Sequence, residues 1–469
     1  MKLEKIVWVG FGAVAFGCME IINKEGLFRD VEMIVIEPLD ISKKQFKQGK
    51  FPPKKSVLDD FKGAHKVKFI QEAITKDNCE RLLDFCGCNE KTLIANLSVD
   101  VDSIMIMLYA KKNGCLYIDT SLENYPGDDE LRSKLGMTWN DVKMESLLFR
   151  GYEAEKLIRE AERKTSTIVG SFGFNPGLVN NYAKRGLKFY AKKKNSELLK
   201  KMVWKGDYRA LSKSLGLKEI LVVEYDSQKT QLKASNDVFI NTWSAVGFQM
   251  EASDNVMLSL NEADKKKFGK DELITPTGDC RKFAPSVYFL KERGMNAYGK
   301  AWTLDKDGIP FEYEGRLIPH QEIVSMSSFF GGKHHPISIA YIYSSSEISQ
   351  KSLEHFKQAN YHLLKNNYVM CADDIDSGFD SIGALLRFEN GDEVWCGSVC
   401  DLKDVKLMNL ISGPTIIQVA GAVVANMLFM IDDPQLGLLF PEEIPHKRIF
   451  KFASKYEGRE FCRLYEASS

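Results

Sequence analysis

Over the first 165 residues the apolar positions fall into short runs of strand length, separated by segments with helical spacing. Ile6–Val9 is the first run, and beyond a glycine turn the apolar spacing continues through Met19, Ile21 and Ile22. "VEMIVIEP" (31–38), "KVKFI" (66–70), "TLIANLS" (92–98) and "CLYIDTS" (115–121) follow. Between them the spacing predicts helices over about 76–85 and over 101–113. Strand and helix in alternation predict an α/β domain over 1–165, with a doubly wound parallel sheet of Rossmann type.

The pattern then changes. "STIVGSFGFNPGLVNNYAKRGL" (166–187) reads as a strand, a Gly/Pro turn and a helix. Short β-runs such as "ILVVEYDSQ" (220–228), "DVFINTWS" (237–244) and "SVYFL" (286–290) come next, separated by turn residues. They predict a second, α+β domain over 166–410, with a mixed or antiparallel sheet. "ISGPTIIQVAGAVVANMLFMI" (411–431) has the length of a membrane span, but Gln418 and Asn426 interrupt it. It reads as a buried core helix, and the segment 411–469 is expected to pack back on the first domain.

Chemistry enters at the first turn. Gly10, Gly12, Ala13, Val14 and Ala15 form G-x-G-x-x-A between a strand and a helix. In that setting Gly10 allows the tight turn, Gly12 lets backbone approach a pyrophosphate, and the helix N-terminus meets the anion. Glu37 ends the second strand, where an acid accepts hydrogen bonds from both ribose hydroxyls and repels a 2′-phosphate. The expected cofactor is therefore NAD rather than NADP. Ligands of such sheets sit beyond the carboxyl ends of the strands, which places Asn96, Asp100, Asp119, Thr120 and Glu123 near the chemistry. Asp100 and Asp119 are equally suited to capping helices.

Composition narrows the partners. Lys plus Arg equals Asp plus Glu at 64 each, so no global field recruits nucleic acid or an anionic membrane. The N-terminus enters the first strand directly, without a charged-then-apolar leader, and a cytoplasmic protein is expected. The cysteines are scattered and the adjacent His334 and His335 lack metal-ligand spacing, so no metal is expected.

Several stretches together resemble bacterial homospermidine synthases, within the saccharopine dehydrogenase-like group. They are "GFGAVAFG", "NLSVDVDS", "YIDTSLE", "GFNPGLV", "NTWSAVGFQMEASD", "HQEIVS" and "QVAGAVVANMLFMIDDPQLGLLFPEEI", in order along nearly the whole chain. The resemblance implies condensation of two putrescine molecules to homospermidine and ammonia, with NAD as a bound redox group, in a cytoplasmic homodimer of polyamine biosynthesis. It further implies that Asp100 and Glu123 hold amines near the nicotinamide. Trp243, Glu251, Glu224 and Glu322 would line the diamine pocket, Asn175 and Pro176 would lie beside the nicotinamide, and His320 near the reacting atoms.

The residue types suit that substrate. A diamine is a dication near neutral pH, and carboxylates with an aromatic face recognise it. Taken alone, Trp243 is also suited to core packing and Asn175 to a turn. The alternative enzymes of the group, carboxy(nor)spermidine and saccharopine dehydrogenases, bind an amino-acid carboxylate and need a cationic anchor, which these site segments lack. A non-catalytic NAD sensor would not need Trp243 and Glu251. Asn124 and Tyr125 after Glu123, and Gln321 in "HQEIVS", depart from the family pattern and bear on amine preference.

Overall fold

The computed structural model describes residues 1–39, 65–99, 101–124, 147–159, 165–269 and 271–467. Asp100 and Tyr125 lie outside the described residues. Strands β1 (Lys5–Val9), β2 (Glu32–Ile36), β3 (Val67–Ile70), β4 (Thr92–Asn96), β5 (Leu116–Asp119) and β6 (Ile168–Val169) form a parallel sheet, completed by Leu438–Leu439. Its order is 438–439, β6, β5, β4, β1, β2, β3. The chain reverses direction across the sheet between β1 and β4, and their carboxyl ends open the crevice where such folds bind ligands. The central strands β1, β4 and β5 are apolar and buried on both faces, whereas the edge strand β3 is partly exposed.

Helix α1 (Ala13–Glu25) follows β1 directly. It packs against helix Pro414–Asp432, and a Cβ added at Gly17 would lie 2.9 Å from the Ile416 side chain. Small residues at this crossing let the two helices approach closely. The long apolar helix has a mean hydropathy of 1.8 over its best window, and 83% of that window is buried within the protein. Gln418 donates to Ser398 and to the Glu457 carbonyl, which satisfies part of its buried amide.

The second sheet has ten strands and is mixed. Strand β7 (Leu217–Asp226) lies at its centre, parallel to Ser338–Ser344 and antiparallel to Phe379–Phe388. Two features differ from the expected division of the chain. β6, at 168–169, belongs to the first sheet although it lies outside residues 1–165. Arg459–Tyr465 pairs with Glu393–Asp401, so the C-terminal segment serves both sheets instead of returning only to the first. Backbone pairing partners for an end strand are set by tertiary contacts, which local spacing does not record.

Candidate active site

A cleft of about 860 Å³ runs from the carboxyl ends of β1 and β4 to the wall formed by the second sheet. At its first end lie Gly10, Gly12, Ala13, Val14 and Glu37. Gly10 has φ +82°, and a Cβ there would sit 2.8 Å from the Ser98 backbone. Only glycine fits that turn. A Cβ on Gly12, by contrast, would meet nothing within 4 Å, so the turn leaves open space for a ligand. Gly12 gives helix α1 no side-chain cap, which keeps its first amides available to an anion. The Glu37 carboxylate accepts from the Phe11 amide at 2.8 Å and from that of Leu39 at 3.2 Å, tying the end of β2 to the glycine turn. These features fit a dinucleotide: open space at the turn, a helix start without a side-chain cap and an acid at the end of β2.

The opposite wall is built from side chains far apart in sequence. Asn175 sits in a turn closed by Gly177, where φ is +133° and a Cβ would strike the Gly173 carbonyl at 2.1 Å. The Asn175 Nδ2 donates to Glu224 Oε2 at 2.6 Å, as does the Tyr341 hydroxyl at 2.6 Å. Glu224 Oε1 receives no donor among the described residues. Burial pushes the Glu224 carboxyl up to about 7 against those two bonds, and the neighbouring charge of Asp226 adds to the effect.

Trp243 also lines the cleft. Its Nε1 donates to the Tyr343 hydroxyl at 3.0 Å and its ring packs 5.4 Å from that of Phe248, which fixes the indole in place. The next residue, Ser244, caps helix Ala245–Ser253 by accepting from the Gly247 amide. That helix carries Glu251 to within 3.6 Å of His320 Nε2. His320 Nδ1 lies 3.0 Å from both oxygens of the fully buried Glu322. Burial alone would lower the His320 pKa, but the Glu322 and Glu251 carboxylates outweigh it and hold the imidazole well above its ordinary value. The imidazolium thus sits between two carboxylates, and Glu251 Oε2 is buried without a hydrogen-bond partner among the described residues.

Thr120, Glu123, Asn175, Pro176, Glu224, Trp243, Glu251 and His320 therefore meet in one cleft with the glycine turn. Three residues expected at the ligand do not line it. Asn96 is tied to Ser98 and the Tyr117 hydroxyl, and Asp119 accepts from the Ser171 amide at 2.6 Å and from Tyr117 at 2.7 Å. Both brace the strand ends beneath the cleft, and burial pushes Asp119 up to about 7. Glu322 reaches the cleft only through His320. Tyr341 and Thr415 line the cleft and were not marked by any spacing in the sequence. Among the described lining residues, Glu37, Glu72, Glu123, Glu224, Glu251 and Asp254 carry carboxylates, against one Lys or Arg, the exposed Lys365. The cleft is an acidic receptacle.

Sheet order, glycine turn and strand-end acid define a dinucleotide-binding domain, and residues 6–169 match the family described as saccharopine dehydrogenase NADP binding domain. The chain as a whole resembles homospermidine synthases: that of Mesorhizobium japonicum is 27% identical, over 97% of this chain and 88% of that protein. The homospermidine synthase of Blastochloris viridis is 26% identical, over 97% and 89%. A solved homospermidine synthase from Legionella pneumophila, in complex with NAD, shares the fold with a TM-score of 0.78 at 21% identity, covering 99% of this chain and 91% of that one. Saccharopine dehydrogenase from Saccharomyces cerevisiae superposes less well, with a TM-score of 0.51 at 10% identity.

Proposed function

We propose that this protein is a homospermidine synthase that condenses two putrescine molecules to homospermidine and ammonia, with NAD as a recycled redox group. The observation that carries the reading is the acidic wall opposite the glycine turn, where Glu224, Glu251 and Trp243 face the same cleft. A dication is drawn to the Glu224 and Glu251 carboxylates and to an aromatic face, whereas among the described lining residues an amino-acid carboxylate would find Lys365 and a His320 whose charge Glu251 and Glu322 already balance. The resemblance to homospermidine synthases along nearly the full chain supports it. Glu37 at the ribose position supports NAD over NADP, although the family's description names NADP. The expected homodimer rests on the resemblance alone.

Bound NAD would supply a hydride acceptor for the carbon beside a putrescine nitrogen, and the same hydride for the final reduction. The chain's own residues handle the amines. Glu224 takes a proton from the reacting ammonium, because burial holds its carboxyl near 7, and Oε1 is the oxygen with no donor among the described residues. Asn175 and Tyr341 fix the carboxylate plane through Oε2. Glu251, backed by His320, holds the distal ammonium, and Trp243 covers the developing iminium. Loss of ammonia and attack by the second amine then exchange one imine for another.

Incubation with putrescine and NAD, followed by product analysis, tests the reading. Homospermidine and ammonia should form without accumulation of NADH, and NADP should bind more weakly. Oxidation of putrescine that stops at NADH, or no reaction, would overturn it.

A further inference from the structure

Glu224 and Asp226 are two residues apart on β7 and so face the same side of the sheet. In the antiparallel register Asp380, on strand Phe379–Phe388, pairs directly with Asp226. Cross-strand partners project to one face, so three carboxylates share one patch. They are 2%, 3% and 0% exposed. None of them forms an ion pair among the described residues, and their hydrogen-bond donors are neutral groups. Asp226 accepts from the Thr242 hydroxyl at 2.7 Å and from the Gln228 amide and side chain, both at 2.9 Å. Thr415 donates to Asp380 Oδ2 at 2.5 Å and accepts from the same Gln228 side chain at 2.9 Å. Asp380 Oδ1 is buried without a hydrogen-bond partner among the described residues. The network ends at the cleft in two places, Glu224 and Thr415.

We propose that Asp226, with Asp380 behind it, is a positioning residue that sets the proton affinity of Glu224 and so adapts the site to cationic amines at neutral pH. The inference rests on the diamine reading above. Three neighbouring buried carboxylates cannot all ionise, so they titrate as a set and retain protons that an isolated acid would lose. Glu224 is thereby a stronger base. The proton it takes from a bound ammonium returns in the same turnover, to the departing ammonia or to the product amine, and the set ends as it began. Asp380 is likewise pushed up, by burial first and then by the charges of Glu224 and Asp226. The other titratable groups around Glu224 are His320 and Glu251 across the cleft, Tyr341 and Tyr343 on strand Ser338–Ser344, and Tyr313 on the adjoining hairpin. Of these, His320 alone is positive, and it opposes the two aspartates.

The test is the pH dependence of kcat/KM for putrescine, whose acid limb reports the base in the free enzyme. Asp226→Asn keeps the side chain's shape and removes its charge, so the acid limb should move to lower pH by about one pH unit. Asp380→Asn alters the member that pairs across the strands with Asp226 and not with Glu224, and should move the limb less, in the same direction. Thr242→Val guards against a variant that fails to fold. Loss of its hydroxyl makes Asp226 harder to ionise, which again moves the limb to lower pH. A wild-type protein that makes no homospermidine removes the diamine reading and this inference with it. An active wild type, with the limb unmoved in well-folded Asp226→Asn or Thr242→Val, overturns this inference alone.

Discussion

The two walls of the cleft recognise their ligands by opposite means. At the glycine turn the work falls to backbone: a left-handed Gly10, an open Gly12, a helix start without a side-chain cap and one acid at a strand end. Across the cleft it falls to side chains from at least four elements, with Glu224, Trp243, Glu251 and His320 held by neighbours that are themselves buried. A backbone site depends on the absence of atoms, and a side-chain site on their exact charge. Substitutions should therefore separate the two walls cleanly, one through binding of the dinucleotide and the other through turnover.

The largest effect is expected at Glu224. Glu224→Gln preserves size and a hydrogen-bond acceptor but removes the base, and kcat should fall by about 100-fold or more. Dinucleotide affinity should stay within about twofold, because Glu224 belongs to the other wall. Sign follows from its raised pKa: the active form is ionised, so wild-type turnover should fall as pH drops below about 7. Asn175→Ala should behave similarly with a smaller loss, since Tyr341 still orients the carboxylate. Single-turnover kinetics beside an NAD titration measure both quantities. Equal losses in affinity and turnover would merge the two walls into one.

Gly12→Ala is the complementary experiment. An added Cβ meets no protein atom within 4 Å, so the melting temperature should hold. The methyl group would instead stand where the pyrophosphate approaches, and dinucleotide affinity should fall by roughly thirtyfold, about 2 kcal/mol. Gly10→Ala offers the contrast, because its Cβ collides with Ser98 and its φ is strained, so stability itself should fall. Intact NAD binding in folded Gly12→Ala would move the pyrophosphate elsewhere.

How much of this the sequence discloses follows the same division. The glycine turn, the flanking strand and helix, and Glu37 are contiguous or nearly so, and the helix begins at Ala13, where the motif requires it. Local patterning is enough when the site is made by local backbone. It fails one residue at a time at the strand ends, where the pleat decides which side chain meets the ligand. Thr120 lines the cleft while Asp119 beside it points into the sheet. The second wall is harder still. Asp380 meets Asp226 only through a pairing of strands more than 150 residues apart, and Tyr341 reaches Glu224 the same way. Trp243, Glu251 and His320 were identified through resemblance to a family, since no spacing distinguishes a pocket tryptophan from a packed one.

Trp243 gives the smallest expected effect and the finest division between the walls. Its ring is part of the cleft and also packs on Phe248 and Tyr343, so both recognition and packing act on one side chain. The two are separated by choosing replacements that differ in π-character more than in packing. Trp243→Phe keeps a weaker aromatic face and loses the bond to the Tyr343 hydroxyl, while Trp243→Leu loses the face altogether. Both should lower the melting temperature, and by similar amounts, because both remove the same hydrogen bond and part of the same packed surface. Turnover with putrescine should divide them: a loss of about twofold to threefold for phenylalanine and at least tenfold for leucine, the latter corresponding to about 1.4 kcal/mol of transition-state stabilisation. NAD affinity should be unchanged in both. If leucine matches phenylalanine in turnover, or activity in each variant simply tracks its melting temperature, the indole serves packing alone, and recognition of the ammonium falls entirely to the carboxylates.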